Sequence, residues 1–437
     1  MDCKKGNELW KKAKKIIPGG SQLLSKRSEM FLPDQWPSYF ERAKGVEVLD
    51  LDGNKFIDMS LMGISACTLG YADDEVNNAV KDAIDKGNAS TLNCYEEVEL
   101  AELLLKIHPW AKMVRYARTG GEAVSIAIRI ARAHSRKDKI AFCGYHGWHD
   151  WYIASNLADD SNLDGNLLPG LKPLGVPRVL INTTIPFEYN NIDSLKKLIS
   201  DNKDIGIIIM EPLRHGGPEN NFLHEVRKLA TENNIVLIFD EFSSAWKQNV
   251  GGVHLLLGVN PDIAVFSKAM GNGYPISAIV GNKVMDAAQD TFISSTMWTE
   301  RVGPVAAIAT IKKMLRENVP AHLDKIGGMI GDGWLRLAGK HGLKIKLFKP
   351  NAIITFSFDY KDNFEIRTLF IQEMLERGFL AHDHVFVSFA HTEKHVEDYL
   401  KHVDEVFGII KKALDERNVK SLLKGPVIHS GFKRLVE

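Results

Sequence analysis

The run Ile205-Gly206-Ile207-Ile208-Ile209-Met210 constrains this chain more than any other stretch. It is apolar without alternation, so the strand it predicts must be covered on both faces. Residues 235–239 and 263–266 repeat the pattern, and residues 113–116 and 139–143 give shorter versions of it. Apolar residues at helical spacing separate several of these runs, as over residues 122–133 and 222–232. Strands alternating with helices predict an α/β fold with a mostly parallel sheet. Such sheets build their sites beyond the carboxyl ends of the strands. The residues that follow each run are therefore where chemistry is to be sought.

Outside this region the pattern changes. A helix over residues 8–16 is stopped by Pro18-Gly19-Gly20, and residues 46–51 and 55–58 flank Asp52-Gly53-Asn54 as a β-hairpin. Helices over 73–86 and 96–107 lead into the alternating region. A long helix over 302–316 leaves it. Short strands (344–348, 353–358) and helices (364–377, 393–414) then predict a smaller α+β domain. The expected organisation is an N-terminal segment and hairpin over 1–72 packed with the small domain, a large domain over 73–310, and the small domain over 311–437. Residues 425–434 read as an irregular tail.

The charge balance excludes some partners. Lys plus Arg equals Asp plus Glu at 55 each, so nothing electrostatic favours nucleic acid or an anionic membrane. No apolar run approaches the roughly 20 residues that span a bilayer, and the N-terminus is polar and lysine-rich. The 4 cysteines include no C-x-x-C pair, which predicts a reducing, cytoplasmic setting.

Two strand ends carry opposite charges. Lys268 follows the run 263–266 and enters the glycine-rich stretch Ala269-Met270-Gly271-Asn272-Gly273, while Asp240 follows the run 235–239. Either one alone is an ordinary charged strand end that a salt bridge would satisfy. Together they are what a pyridoxal phosphate site requires. A lysine carries that cofactor as an imine, and a carboxylate keeps its pyridine nitrogen protonated.

Other strand ends offer candidate support. Thr119-Gly120-Gly121-Glu122 joins a strand to a helix, where glycines and free N–H groups suit a phosphate, or simply a tight turn. Tyr145 offers a flat ring for stacking, with His146 or His149 hydrogen-bonded to the stacked group; aromatic packing over a loop is the alternative. His146, His149 and Asp150 also have metal-like spacing, but no further ligand cluster accompanies them and no metal is expected. Glu211 ends the 205–210 run as a ring-side hydrogen-bonding group or a cap. The hydroxyls of Ser294-Ser295-Thr296 either reach a phosphate or cap the helix that follows. Gly271-Asn272-Gly273-Tyr274-Pro275-Ile276 lacks the third glycine of a dinucleotide fingerprint, and no P-loop occurs.

The ordered set Thr119-Gly120-Gly121-Glu122-Ala123, Tyr145-His146-Gly147-x-His149-Asp150, Glu211-Pro212, Phe239-Asp240-Glu241 and Ser267-Lys268-x-x-Gly271-x-Gly273 resembles the class III aminotransferases of fold type I. Within them it looks like the glutamate-1-semialdehyde 2,1-aminomutase branch. The resemblance implies a pyridoxal 5'-phosphate enzyme in which Lys268 forms the Schiff base and shuttles protons and Asp240 pairs with the pyridine nitrogen. Tyr145 would stack on the ring with His146 and Glu211 beside it, and Gly120 and Gly121 would bind the phosphate. Thr296 would reach the cofactor of a neighbouring subunit, which implies a homodimer with shared active sites.

Some residues depart from the family pattern. Phe242 stands where a small β-branched residue is usual. Leu213-Arg214-His215-Gly216-Gly217 replaces the small apolar sequence of the aminomutases, and Leu24-Ser25-Lys26-Arg27 replaces their Ser-Pro-Val-Arg. These departures favour an intermolecular aminotransferase, moving an amino group from an amino-acid donor to a carbonyl acceptor by a ping-pong cycle. Lys26, Arg27, Arg214 and His215 would surround an anionic or hydroxylated part of the substrate. The aminomutase reaction is the alternative. A catalytically silent cofactor-binding protein is a third, against which the retained lysine, acid and aromatic argue.

Overall fold

The structure is a computed structural model that describes residues 3–214, 216–431 and 435. The chain forms two compact units, residues 74–317 and residues 1–73 with 318–437.

The second of these begins with the helix Lys4–Ile16, which buries Trp10 and Ala13. Three strands follow: β1 (Phe40–Lys44), β2 (Glu47–Asp50) and β3 (Lys55–Met59). Asp50 shapes the β2–β3 turn. Its Oδ1 accepts from the amides of Asp52 at 2.9 Å and Asn54 at 2.8 Å, and Gly53 takes a φ of +87°. That backbone is cheap only for glycine. β1 is an addition to the expected hairpin; its mostly exposed residues give it no buried face to read.

The unit 74–317 is built on a seven-stranded sheet. Its strands are β4 (Met113–Ala117), β5 (Lys139–Cys143), β6 (Thr184–Pro186), β7 (Ile205–Met210), β8 (Val236–Asp240), β9 (Ile263–Phe266) and β10 (Ser277–Gly281). They lie in the order β4-β10-β9-β8-β7-β5-β6. Neighbours from β9 to β6 pair in parallel, and β10 runs antiparallel between β9 and β4.

β7 shows why its sequence is unbroken. Ile207 and Ile209 enter a core with residues of the helix Gly120–Ser135, whereas Ile208 and Met210 enter another with residues of the helix Phe222–Glu232. Each such side chain contributes about 1.5–3 kcal/mol when fully buried. Gly206 is required by close approach: a Cβ there would lie 2.6 Å from Lys137 Cβ. The pairing places the carboxyl ends of β4, β5, β7, β8 and β9 along one sheet edge, which is where the site residues gather.

In the other unit, β11 (Ile345–Phe348), β12 (Ile353–Phe358), β13 (Phe379–Ala381) and β14 (His384–Phe386) complete the strands. β11, β12 and β14 form an antiparallel sheet, and β13 extends the N-terminal sheet parallel to β3. Trp334, Phe356, Phe370, Tyr399 and Phe407 are fully buried in this unit. Residues 425–431 are irregular, with Ile428 buried and its amide on Thr368 Oγ1 at 3.2 Å; residues 432–434 of the expected tail lie outside the described residues. Among the described residues, no helix is long and apolar enough to cross a membrane.

Candidate active site at the strand ends

β9 is buried at all four positions and delivers Lys268 to the sheet edge through Ser267. Lys268 has a φ of +47°, a left-handed backbone that costs a non-glycine residue roughly 1–2 kcal/mol. The turn is fixed from both sides. Ser267 Oγ donates to Ile276 O at 3.2 Å, and Ser277 Oγ, at the start of β10, donates to Ser267 Oγ at 2.8 Å. The side chain points back to the end of β8, where Lys268 Nζ donates to Ser243 Oγ at 3.0 Å. Burial pulls the Lys268 ammonium below its ordinary value, against the opposing pull of Asp240 and Glu211.

Asp240 is 2 % exposed at the end of β8. Its Oδ2 lies 2.8 Å from His146 Nδ1, and its Oδ1 accepts from the Phe242 amide at 3.1 Å. A buried carboxylate needs such partners. His146 therefore acts on Asp240, 94 residues away in sequence, and its Nε2 is buried without a protein partner.

The helix Gly120–Ser135 opens with a capping box. Thr119 Oγ1 accepts from the Glu122 amide at 3.4 Å, and Glu122 Oε2 accepts from the Thr119 amide at 2.9 Å. This satisfies the third helical amide and leaves those of Gly120 and Gly121 without a protein acceptor among the described residues. Two free amides at a helix N-terminus favour an anion. Both positions are crowded. A Cβ at Gly120 would lie 2.7 Å from the Phe242 ring, and one at Gly121 would lie 2.6 Å from His149 Cε1. Phe242, the residue out of keeping with the family pattern, thus rests on the first helical residue.

Glu211, just past β7, is shared. Its Oε2 accepts from the Tyr145 amide at 3.2 Å and from Arg214 Nη1, and Arg214 Nη2 also donates to Gly165 O at 3.1 Å. Gly144 makes room for this pair, since a Cβ there would lie 2.6 Å from Glu211 Oε2. Tyr145 remains 44 % exposed, so much of its ring is open to a ligand. The charge of Arg214 is matched by Glu211, and an anionic ligand at Arg214 would have to compete for it.

The remaining candidates are dispersed. Thr296 is exposed in the 3-10 turn Thr296–Thr299, which Arg118 holds by donating from Nη2 to Trp298 O at 2.7 Å. Lys26 and Arg27 belong to the other unit, in and just after the 3-10 turn Leu24–Lys26. His215 lies outside the described residues. His146, His149 and Asp150 do not converge as metal ligands. Among the described residues the converging group is His382, Asp383 and His384, where the chain passes from β13 into the start of β14. Arg367 Nη1 already donates to that aspartate at 2.8 Å.

Two residues near Lys268 escaped the sequence reading. Ser243 supplies its hydrogen bond, and Lys247, 2 % exposed, donates from Nζ to Ser243 O at 2.9 Å and Ala245 O at 3.3 Å. Neither lies in a periodic stretch. The only sequence signal is a lysine, Lys247, seven residues after a strand-end acid.

These groups fit a phosphorylated pyridine aldehyde: two free helix amides for the phosphate, a buried carboxylate to accept from the ring nitrogen, an open phenol ring for the ring face and an amine for the aldehyde carbon. Residues 33–414 match the family described as aminotransferase class-III. The chain is 32% identical over 421 residues to a 3-aminobutyryl-CoA aminotransferase of Cloacimonas acidaminovorans (strain Evry), covering 93% of this chain and 97% of that one. It is also 32% identical over 429 residues to a glutamate-1-semialdehyde 2,1-aminomutase of Methanocaldococcus jannaschii, covering 92% and 98%. A solved structure of the PLP internal aldimine form of the Sphingopyxis sp. MTA144 FumI protein superposes with a TM-score of 0.85 at 26% identity, covering 94% of this chain and 97% of that one.

Proposed function

The chain belongs to the class III aminotransferases, pyridoxal phosphate enzymes of fold type I, and from that premise we propose that it moves an amino group from an amino-acid donor to a separate carbonyl acceptor. The observation that carries the reading is Lys268, held in a left-handed turn just past β9, with the buried carboxylate of Asp240 at the end of the neighbouring strand β8. When bound, the cofactor supplies an electron-withdrawing ring that stabilises negative charge at the donor's amino-bearing carbon.

The chain's own residues do the rest. Gly120 and Gly121 bind the phosphate with their amides, and Asp240, oriented by His146, holds the proton at the ring nitrogen. Tyr145 covers the ring face, with its backbone fixed by Glu211. Lys268 Nζ would take the proton from the donor carbon and deliver it to the cofactor's aldehyde carbon, on the far side of the amino nitrogen. The donor leaves as a keto compound before the acceptor binds, in a ping-pong order. Residues 73–310 form the cofactor-binding domain in this reading, with 1–72 and 311–437 as the smaller one. Thr296 completes the site of a second copy, so the active unit is a homodimer. Four cysteines without a disulfide support a cytoplasmic setting.

The 3-aminobutyryl-CoA aminotransferase relative supports transfer between two molecules. The aminomutase reading has the support of relatives at 29–33% identity. Against it stand Arg214, whose pairing with Glu211 occupies the strand end after β7, and Phe242 over Gly120. Arg214, His215, Lys26 and Arg27 are assigned to the carboxylate or hydroxyl groups of the substrate, with Arg214 exchanging Glu211 for the incoming anion.

The test takes holoenzyme with single amino acids and no acceptor. Loss of the visible cofactor band with stoichiometric release of a keto compound, followed by mass spectrometry, supports transfer. Isomerisation of glutamate 1-semialdehyde with no keto release from any donor replaces it with the mutase. Borohydride-fixed cofactor on a residue other than Lys268 defeats the site assignment.

A further inference from the structure

The loop Ser294-Ser295-Thr296-Met297-Trp298-Thr299-Glu300 is tied down just outside each end. On one side Arg129 Nη1 donates to Phe292 O at 3.0 Å, and Arg115 Nη2 donates to Ile293 O. On the other, Arg301 Nη2 pairs with Glu96 Oε1 at 2.7 Å, and the Arg301 amide donates to Asn88 O at 2.9 Å. Between these anchors the loop backbone rests on Arg118. Its Nη2 donates to Trp298 O at 2.7 Å and to Glu300 O at 2.9 Å, and its Nε lies 2.7 Å from Glu300 Oε1. The Arg118 side chain is only 9 % exposed, whereas Ser294, Ser295, Thr296, Met297 and Thr299 are all exposed. A buried ion pair stabilises a fold no better than packed apolar residues of the same size. What a guanidinium adds is geometry, because its planar fork fixes several acceptors at once. Arg118 also precedes the Thr119-Gly120-Gly121 turn, and its amide, like that of Thr119, donates to Glu122 Oε2, at 3.2 and 2.9 Å. One residue thus belongs to that turn by its backbone and to the loop by its side chain.

We propose that Arg118 is a positioning residue for cofactor binding, holding the loop so that Thr296 stands ready for the phosphate of the cofactor in a second copy. This rests on the reading of Thr296 given above, in which a homodimer shares its sites. Among the described residues the Thr296 hydroxyl makes no hydrogen bond to its own chain; the turn closes instead through Thr299 Oγ1, which donates to Thr296 O at 2.9 Å. The hydroxyl is therefore free for a ligand, and its place is set two residues away, where Arg118 holds Trp298 O. Trp298 itself packs against the core that contains Ala123 and Ile126 of the helix Gly120–Ser135. Without the Arg118 fork the loop occupies its place for a smaller fraction of the time, and phosphate affinity falls by that fraction. The loss is bounded. Whatever Arg118 contributes through Thr296 cannot exceed what Thr296 contributes itself.

The full chain, freed of cofactor and carrying Arg118→Gln, Thr296→Val or both, is titrated with pyridoxal 5'-phosphate and separately with pyridoxal, which lacks the phosphate. Circular dichroism checks the fold. Glu300→Gln breaks the same ion pair from the loop side and replaces Arg118→Gln should that variant not fold. Thr296→Val is expected to raise the Kd for pyridoxal phosphate about tenfold, the worth of one hydrogen bond to a charged group. Arg118→Gln should raise it by about threefold to tenfold, and the double variant should stay within about twofold of Thr296→Val, because both changes act through one contact. Pyridoxal should bind parent and variants within about twofold of one another. Unchanged phosphate affinity in Thr296→Val removes the assignment of Thr296 and, with it, this role of Arg118. Where Thr296→Val does weaken binding, three results overturn the role of Arg118 alone. These are parent-like affinity in Arg118→Gln, losses that multiply in the double variant, and an equal loss for pyridoxal, the mark of a purely structural role.

Discussion

Replacement of Glu241 by glutamine probes the turn that positions Ser243 and Lys247. Glu241 is fully buried and serves four donors. Oε1 accepts from the His254 amide at 2.9 Å and lies 2.8 Å from His254 Nδ1; Oε2 accepts from the Val253 amide at 3.0 Å and from Ser244 Oγ. Trp110 Nε1 donates to His254 Nε2 at 3.0 Å, so the His254 proton sits on Nδ1 and faces the carboxylate. A glutamine has one acceptor oxygen. Its best orientation places that oxygen at Oε1, keeping both His254 contacts. The Ser244 hydroxyl then rotates to accept from the new NH2 group, but the Val253 amide is left facing an N–H. One buried orphan donor costs about 1–3 kcal/mol, and the loss of charge on the surviving bonds adds a further 1 or so. Glu241→Gln is therefore expected to cost about 3 kcal/mol, and Glu241→Ala about 3–5 kcal/mol. Hydrogen exchange over residues 241–254, read by mass spectrometry, reports the turn itself. An opening penalty of about 3 kcal/mol speeds exchange there on the order of 100-fold. The pH dependence has a definite sign. Burial raises the Glu241 carboxyl, but His254 and its hydrogen bonds prevail and hold it below the ordinary value. The contribution is complete above the unfolded carboxylate range and is lost as pH falls through the lowered folded value, so the gap between variant and parent narrows in acid. Exchange over 241–254 that differs less than about threefold between Glu241→Gln and parent at neutral pH would refute the account of four shared donors.

Three further outcomes follow from the geometry. Asp240→Asn removes a charged hydrogen-bonding partner of about 1.5–3 kcal/mol, so single-turnover amino transfer should fall roughly 10- to 100-fold or more with the fold intact by circular dichroism. Gly121→Ala puts a Cβ 2.6 Å from His149 Cε1 at the helix N-terminus, and equilibrium dialysis should find cofactor affinity reduced about tenfold or more. His391 is held at about 4 by burial, with Nδ1 accepting from the Ser388 amide at 3.0 Å and Nε2 facing Asp58 O at 2.8 Å. Its contribution is complete above an unfolded value of 6.5 and is lost as pH falls toward 4, so His391→Gln should flatten acid denaturation by up to about 3 kcal/mol over that window.

Much of the fold was legible because burial on both faces leaves a mark in sequence. β7 and β9 are apolar throughout, and β8 is apolar up to its last residue, Asp240; Glu211 follows β7 directly and Lys268 follows β9 after Ser267. β10 left less of a mark: its five residues begin with Ser277 and end with Gly281, and it runs antiparallel inside an otherwise parallel group. β6 is three residues long and contains Pro186, too short for any period. Within the candidate site, Lys268, Asp240, Gly120 and Gly121 announce themselves by standing at the ends of runs. The contact of His146 with Asp240 joins residues 94 apart, and no local pattern reports it. Ser243 and Lys247 lie in a turn whose left-handed residue is a tryptophan, Trp246, where a glycine or asparagine would have signalled the bend.

The left-handed backbone at Lys268 has a consequence for how this protein can vary. Glycine and asparagine occupy that conformation more cheaply than lysine. A chain that exchanges Lys268 for either sheds strain and a poorly solvated ammonium in one step, and should melt at a higher temperature than its parent while losing the amine. Screens that rank variants by heat resistance alone will enrich such replacements, and thermostable descendants need genotyping at this codon before their loss of turnover is ascribed to rigidity.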